Sequence, residues 1–352
     1  MTTTIDAVKL ESFAGQVVTD LSAAESAVAA YLGDRLGLYQ ALSAMGWASA
    51  VDLAEATGTN ERLVLEWLRN QAAGGYVEHA QGQFRLPAEH AAVLADEQSP
   101  AFFGGAFELI ASIWADTGAL ETAFRGDGAL AWGDHDERLY RGCERFYAPG
   151  YRANLVQQWL PALDGVVDRL TSGARVADVG CGYGISTVLM AQAFPKSTFV
   201  GYDSHEGSIE AATRRAKEAG VEDRVRFEVR AAQDLPADGF DLVCMFDCLH
   251  DMGDPVSAAA AARRALTDAG RLMVVEPWAG DDLDDNINPV GRMFYAGSTF
   301  LCTPNALSQA GGEALGAQAG PAALSRVLRK AGFGQVSIAA QSPVNLVLEA
   351  SD

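Results

Sequence analysis

The feature that most constrains the fold is a glycine run directly after a short apolar strand, Val176-Ala-Asp-Val-Gly-Cys-Gly-Tyr-Gly-Ile-Ser-Thr. A strand, a tight glycine turn and a helix open the nucleotide-binding α/β folds, in which glycines allow the backbone to approach a ligand closely. The spacing Gly180-x-Gly182-x-Gly184 differs from the dinucleotide pattern, and Asp178 has no standard place in that pattern. The run predicts a nucleotide-like ligand other than a dinucleotide, the alternative being a tight turn that binds nothing.

Short β-rich runs alternate with helical segments after Ser172-Gly173, which predicts a parallel sheet with helices on both faces. The last two runs, Gln335 to Ala340 and Val344 to Glu349, are joined by three residues, too few for a parallel crossover. The last strand is therefore expected to be antiparallel to its neighbour. The other predicted strands are Arg175 to Gly180, Thr198 to Asp203, Val225 to Arg230, Asp241 to Phe246 and Arg271 to Pro277.

The segment from about Ser22 to Leu94 has the pattern of a winged helix. One helix is expected around Leu36 to Met45, a second from Val51 to a C-terminal cap at Gly58, and a third through Asn70, capped by Thr59 or Asn60. Two strand-like pieces, Tyr76 to His79 and Gln83 to Leu86, would form the wing. We predict a winged-helix domain over 1–100, an aromatic-rich helical bridge over 101–163 and an α/β domain over 164–352, with an insertion near 281–320.

Composition narrows the classes of partner. The chain of 352 residues carries a formal charge of −20, which opposes attraction to nucleic acid or to anionic membranes. No apolar stretch reaches the ~18 residues of a membrane span, and the N-terminus lacks the pattern of a secretion signal. Five scattered cysteines fit reduced, buried thiols and a cytoplasmic enzyme. Cys244 and Cys248 near His250 could be imagined as metal ligands, but buried thiols are the expectation, so no metal is predicted.

The glycine run resembles motif I of class I S-adenosylmethionine (SAM) methyltransferases, and the resemblance covers roughly Arg175 to Leu348. Asp203 ends the next strand about 20 residues later, where the family's carboxylate accepts both ribose hydroxyls. Ala231 stands where the family often has an aspartate, so Gln233 or the backbone of Ala232 is expected to face the adenine. The resemblance implies that SAM is held by Asp178, Gly180, Gly182, Gly184, Asp203, Ser204, Ala232, Gln233, Phe246 and Tyr147.

The run Leu249-His250-Asp251 follows a buried strand and resembles the motif of small-molecule O-methyltransferases, in which the histidine deprotonates the acceptor hydroxyl. The family commonly continues with tryptophan, where this chain has Met252. Glu276 ends the fifth strand at the same edge and would orient His250 or a substrate amine. The candidate catalytic residues are His250, Glu276 and Asp251, with a turn-capping role for His250 as the alternative.

The winged helix and the SAM-type motifs together resemble bacterial methyltransferases with a winged-helix dimerisation domain, similar to hydroxyneurine and caffeate-type O-methyltransferases. This implies a Rossmann-like sheet, SAM as cofactor, a homodimer formed through the N-terminal domain, and a small-molecule acceptor. The aromatic residues of the bridge and of Met293-Phe294-Tyr295 favour an aromatic acceptor but fit a core role equally well. Two alternatives remain: a winged-helix transcription regulator that senses SAM or a metabolite, and a SAM-binding protein with non-methylating chemistry.

Overall fold

A computed structural model describes residues 5–352, which divide into two compact units. Of these residues, the first unit comprises 5–112 and 141–149, and the second comprises 113–140 and 150–352. The first contains helices α1 (Ala7–Arg35), α2 (Leu38–Met45), α3 (Ala50–Thr57), α4 (Glu61–Ala73), α5 (Ala88–Leu94) and most of α6 (Gly104–Ala115), and the hairpin strands β1 (Glu78–Ala80) and β2 (Gln83–Arg85).

Local sequence signals set the ends of the helices in the first unit. Ser49 forms a capping box with Asp52 at the start of α3, and α3 ends at Gly58, which has the left-handed φ of 63° expected there. Asn60 caps α4 through a hydrogen bond from the Leu63 backbone N–H. The predicted wing is present as the antiparallel pair β1 and β2. The helices and the hairpin enclose a core of their own that includes Tyr39, Leu42, Leu53, Trp67 and Leu68.

Helix α1 begins well before the predicted helical region, at Ala7, where Asp6 caps it. The early turns lack the usual signature of a buried helix because almost every side chain from residue 5 to 19 is exposed. Their apolar residues therefore face outward rather than into the core of the first unit. No helix among residues 5–352 combines the length and the apolar character needed to cross a membrane.

The second unit is built on a seven-stranded sheet with the order β5-β4-β3-β6-β7-β9-β8. Its strands are β3 (Arg175–Val179), β4 (Thr198–Asp203), β5 (Val225–Val229), β6 (Phe240–Phe246), β7 (Leu266–Pro277), β8 (Gln335–Gln341) and β9 (Asn345–Ser351). Its helices include α7 (Thr117–Arg125), α9 (Leu160–Ala162), α10 (Val166–Ser172), α11 (Ile185–Ala193), α12 (Glu206–Glu218), α13 (Pro255–Ala265), α14 (Pro289–Gly297), α15 (Thr303–Ser308) and α16 (Gly320–Lys330), while α8 (Arg138–Asn154) contributes to both units.

Strands β3 to β7 pair in parallel, whereas β9 is antiparallel to both β7 and β8. The predicted α/β fold with an antiparallel last strand is confirmed. Strand β7 begins at Leu266 rather than at Arg271, because Leu266 pairs with Phe240 of β6 before a register shift brings Arg271 opposite Leu242. Since β4, β3, β6 and β7 are adjacent and parallel, their carboxyl ends lie along one edge of the sheet, where ligands bind in such folds.

Candidate functional site

The three glycines of the turn after β3 have positive φ angles but different surroundings. A Cβ atom added at Gly180 would lie 2.7 Å from the Cys248 Sγ, and one added at Gly184 would lie 2.7 Å from the Phe227 ring. A Cβ at Gly182 would meet no atom of residues 5–352 within 4 Å. Gly180 and Gly184 are therefore required for packing, and Gly182 is the glycine whose backbone faces open space.

Asp178 fixes this turn to the following helix. Its side chain is 1% exposed, and its Oδ2 accepts hydrogen bonds of 2.6 Å from the hydroxyls of Ser186 and Thr187 at the start of α11. Burial raises the pKa of Asp178 to about 6, although the two hydroxyls oppose the shift. The Oδ1 atom is buried and has no hydrogen-bond partner among the described residues.

Asp203, at the end of β4, is bonded to the glycine turn. Its Oδ2 accepts from the Gly182 N–H and its Oδ1 accepts from the His205 N–H, both at 2.9 Å. The N-cap of α12 is His205 rather than Asp203, the capping residue considered from the sequence. Burial raises the pKa of Asp203, and each carboxylate oxygen retains a lone pair for a further donor. Ser204 beside it is exposed.

Aromatic side chains also lie near this edge of the sheet, and their contacts were not predicted from the sequence. The ring of Tyr140 stacks on His205 with ring centroids 4.5 Å apart, and the Tyr140 hydroxyl donates to the Trp132 carbonyl.

Three further residues were predicted to contact the cofactor. After β5, Ala232 packs against the core of the second unit and Gln233 is half-buried in a short 3-10 turn. Tyr147, also predicted to contact the cofactor, lies in the first unit, where its ring contacts Phe146.

His250 and Glu276 form a buried pair, as one of the two roles considered for Glu276 requires. The side chains come from the 3-10 turn Leu249–Asp251 and from the end of β7, and they are 3% and 1% exposed. The Glu276 carboxylate contacts His250 Nδ1 and also accepts the His250 backbone N–H at 3.2 Å. Burial opposes a charged imidazole, but the Glu276 carboxylate and the Cys302 sulfur raise the pKa of His250 well above its usual value.

Asp247 is a candidate site residue that sequence reasoning missed. It follows Phe246 at the end of β6 with a φ of 50°, an unusual conformation for a residue other than glycine. Its Oδ2 accepts a 2.7 Å hydrogen bond from the Tyr151 hydroxyl, and burial raises its pKa to about 7. The Phe246 ring is buried and lies 5.5 Å from the ring of Tyr151. A carboxylate directly after an apolar strand was the available signal.

The predicted insertion folds as a 3-10 turn (Leu283–Asn286), helix α14, a π-helical turn (Ser298–Cys302) and helix α15. It brings three groups to the His250 turn: Cys302 Sγ lies 3.2 Å from His250 Nε2, and the side-chain amides of Asn305 and Gln309 donate to the Asp251 carbonyl. Burial raises the pKa of Asp251 to about 7, opposed by the neighbouring His250. The Cys302 contact was not predicted, because the two residues are far apart in the sequence.

Comparisons with known proteins find similarities for both parts of the chain. Residues 170–332 match a family model described as a methyltransferase domain, and residues 24–96 match an Rv2258c-like winged HTH domain. The 27-O-demethylrifamycin SV methyltransferase of Amycolatopsis mediterranei is 35% identical over 131 residues, which cover 35% of this chain. That alignment spans 48% of the relative, so the chain matches about half the length of this curated protein.

Solved structures share the fold over almost the whole chain. A putative O-methyltransferase from Nostoc punctiforme superposes with a TM-score of 0.71 and 20% identity, covering 96% of this chain and 98% of that one. PigF, solved with S-adenosylhomocysteine (SAH), gives a TM-score of 0.73 at 20% identity, with the same coverages of 96% and 98%. The mitomycin 7-O-methyltransferase MmcR gives 0.68 at 22%, covering 98% and 100%. At these identities the similarity establishes the fold.

Proposed function

We propose that this chain, which combines a class I methyltransferase domain with an N-terminal winged helix, transfers the methyl group of SAM to a hydroxyl of a small, aromatic acceptor. One observation carries the proposal: the open Gly182 backbone with Asp203, and the buried His250–Glu276 pair, lie at the carboxyl ends of adjacent parallel strands. A cofactor cradle and an acid–base pair thus share one edge of the sheet. The names of the relatives, several of which methylate oxygen, support this reaction class.

The residues of the cradle fit SAM. Gly182 leaves space for a ligand against its backbone, Asp203 has spare acceptor capacity for two ribose hydroxyls, and the unpartnered Asp178 Oδ1 provides an acceptor for an ammonium group. Ser204, Ala232 and Gln233 would border the same cofactor, with Gly180 and Gly184 shaping the turn. When bound, SAM supplies an electrophilic methyl group on a sulfonium.

The chain's own contribution is to position the acceptor and to take up its proton. The Glu276 carboxylate holds the His250 imidazole by its Nδ1, so Nε2, which lies 3.2 Å from Cys302 Sγ, is the ring nitrogen that would act as the base once the acceptor hydroxyl takes the place of that contact. Glu276 also favours the imidazolium that forms when His250 receives the acceptor's proton. Positioning a donor and an acceptor in line accounts for much of the acceleration expected in such a reaction.

The structure gives less support to a DNA-binding function for the winged helix than to a role in dimerisation. On α4, the helix that would enter the major groove, Arg62 and Arg69 both contact Glu66. The formal charge of −20 adds long-range repulsion of phosphates. We assign the winged helix to dimerisation instead, because α1 carries an exposed apolar stripe at the spacing of paired helices: Leu10, Phe13, Val17, Leu21, Val28 and Leu32.

The five cysteines, all within the described part of the chain, form no disulfide, which supports a reducing, cytoplasmic location.

Calorimetric titration of the purified protein with SAM and SAH tests the cofactor site, and transfer of a labelled methyl group to a panel of phenols tests the reaction. We expect micromolar binding that falls at least about 10-fold in Asp203→Asn, because an amide accepts fewer hydrogen bonds than a carboxylate. Glu206→Gln, an exposed carboxylate at the start of α12, is the matched control and should bind as wild type does. Absence of SAM binding contradicts the proposal, and binding without methylated product favours non-methylating chemistry.

A further inference from the structure

Three side chains contact one another in series, and one of them, Cys302, has no role in the proposed methyl transfer. Glu276 contacts the Nδ1 of His250, and the Nε2 of the same ring lies 3.2 Å from Cys302 Sγ. The residues come from β7, from the turn after β6 and from the π-helical turn of the insertion. Three separate segments thus place a carboxylate, an imidazole and a thiol in the order found where a histidine activates a cysteine nucleophile.

Of the three residues in this series of contacts, Cys302 is the most exposed. His250 and Glu276 are 3% and 1% exposed, whereas Cys302 is only partly buried. Of the three residues, Cys302 is therefore the one with the most exposed surface for a reagent to approach. π-helical turns are rare and recur at functional sites, and Cys302 ends such a turn.

Other cysteines of the same unit have different environments. Cys248 Sγ lies 3.2 Å from the Val179 carbonyl, and Cys181 Sγ lies 3.8 Å from the Gly182 carbonyl. A carbonyl accepts a hydrogen bond from a thiol and so holds the proton on sulfur. Burial raises the pKa values of Cys181, Cys244 and Cys248 well above the usual range for a thiol. Within this unit, Cys302 is the cysteine for which an imidazole contact is seen.

We propose that Cys302 is a nucleophilic thiol, activated by the His250–Glu276 pair, that reacts with soft carbon electrophiles. In the reaction the Cys302 proton passes to His250 Nε2, a bond forms between Sγ and the electrophilic carbon, and the leaving group departs with its bonding electron pair. With iodoacetamide the products are a thioether at Cys302 and iodide. The imidazolium that remains is held by Glu276 and later releases its proton to water.

The test is alkylation of the full-length protein by iodoacetamide at a series of pH values from 6.5 to 9, so that His250 passes from its protonated to its neutral form, with the modified cysteines quantified by peptide mass spectrometry over time. We expect Cys302 to react at least about 10-fold faster than Cys143 or Cys248, because an adjacent imidazole that accepts the proton raises the reactivity of a thiol. Cys302→Ser should abolish the fast reaction and Cys143→Ser should leave it unchanged. Equal rates at Cys302 and Cys143 in the wild-type protein would overturn the proposal.

Glu276→Gln separates activation from simple accessibility. The amide preserves the shape of the side chain but removes the charge that favours the imidazolium, so alkylation of Cys302 should slow about 10-fold. An unchanged rate in a variant with wild-type circular dichroism overturns the role of the pair, and His250→Gln provides the same comparison if Glu276→Gln does not fold. Because no arm contains SAM, failure here is distinct from failure of the proposed methyl transfer.

Discussion

At the scale of single residues, two glycines of the same turn have different roles, one in ligand binding and the other in packing. Gly182→Ala places a methyl group in the open space where a ligand would lie, whereas Gly184→Ala places one against Phe227 and Ala212. Both substitutions strain a positive φ, at a cost of about 1 kcal/mol. We expect Gly182→Ala to lose SAM affinity with a small change in melting temperature, and Gly184→Ala to lower the melting temperature strongly. Calorimetry and thermal unfolding distinguish the two, and equal melting temperatures would contradict the assignment.

The His250–Glu276 pair predicts the pH dependence of methyl transfer. Since Glu276 raises the pKa of His250 above its usual 6.5, the neutral base is available only at higher pH, and activity should fall as pH decreases through the raised pKa. Glu276→Gln removes the carboxylate, so the acid limb of the profile should move to lower pH while the maximal rate declines. The kcat profile from pH 5 to 9 measures this, and an acid limb that does not move would remove Glu276 from the proposed pair.

Sequence motifs indicate the separate candidate residues of the site but not their contacts. The apolar runs predict where the strands stop, and Asp178, Asp203, His250 and Glu276 lie near or just after those ends. The contact of Cys302 with His250 depends on how the insertion folds back, and no local pattern encodes that. The hydrogen bond between Asp247 and Tyr151 likewise joins groups 96 positions apart.

At the scale of elements, Arg145 on α8 connects three parts of the first unit. Its guanidinium lies 2.7 Å from Asp34 at the end of α1, 3.0 Å from Glu108 on α6 and 2.7 Å from Glu97. Arg145 is 11% exposed, and the carboxylates of Asp34 and Glu108 are 6% and 2% exposed. Removing the cation would leave two buried carboxylates without this partner.

We therefore expect Arg145→Met to destabilise the first unit by about 3 kcal/mol, the usual effect of breaking a buried ion pair from one side. Arg141→Met is the matched control, since Arg141 is 55% exposed and lies 3.7 Å from Glu108; its effect should be small. Urea unfolding measures both variants. Similar losses in the two would show that burial of the charges is not the cause.

Element types were predicted more accurately than element ends. All seven strands of the sheet and the wing hairpin follow from apolar runs and turn residues. The start of α1 at Ala7 and the start of β7 at Leu266 were missed, because both segments are largely exposed and carry no burial pattern. Those positions are set by backbone hydrogen bonding, which the side-chain pattern does not report.

At the scale of the whole molecule, the stripe on α1 predicts self-association. Leu21→Asp introduces a charge in the middle of the stripe and should shift the protein from dimer to monomer at micromolar concentration. Thr19→Asp, an exposed position on the opposite side of α1, should leave the dimer intact. Light scattering coupled to size-exclusion chromatography measures the mass. A wild-type monomer, or a Leu21→Asp variant that stays dimeric, rules out this interface.

The order of the sheet also affects when it can be completed during synthesis. Among the strands that the structure describes, β8 pairs with β9 and with no other, and β9 lies between β7 and β8 although it comes later in the chain. While the ribosome is still adding residues 345–351, β8 has no neighbour to pair with and β7 has an open edge. The nascent chain therefore exposes an apolar strand edge until its last strand emerges, so that chaperone binding during translation should centre on that edge.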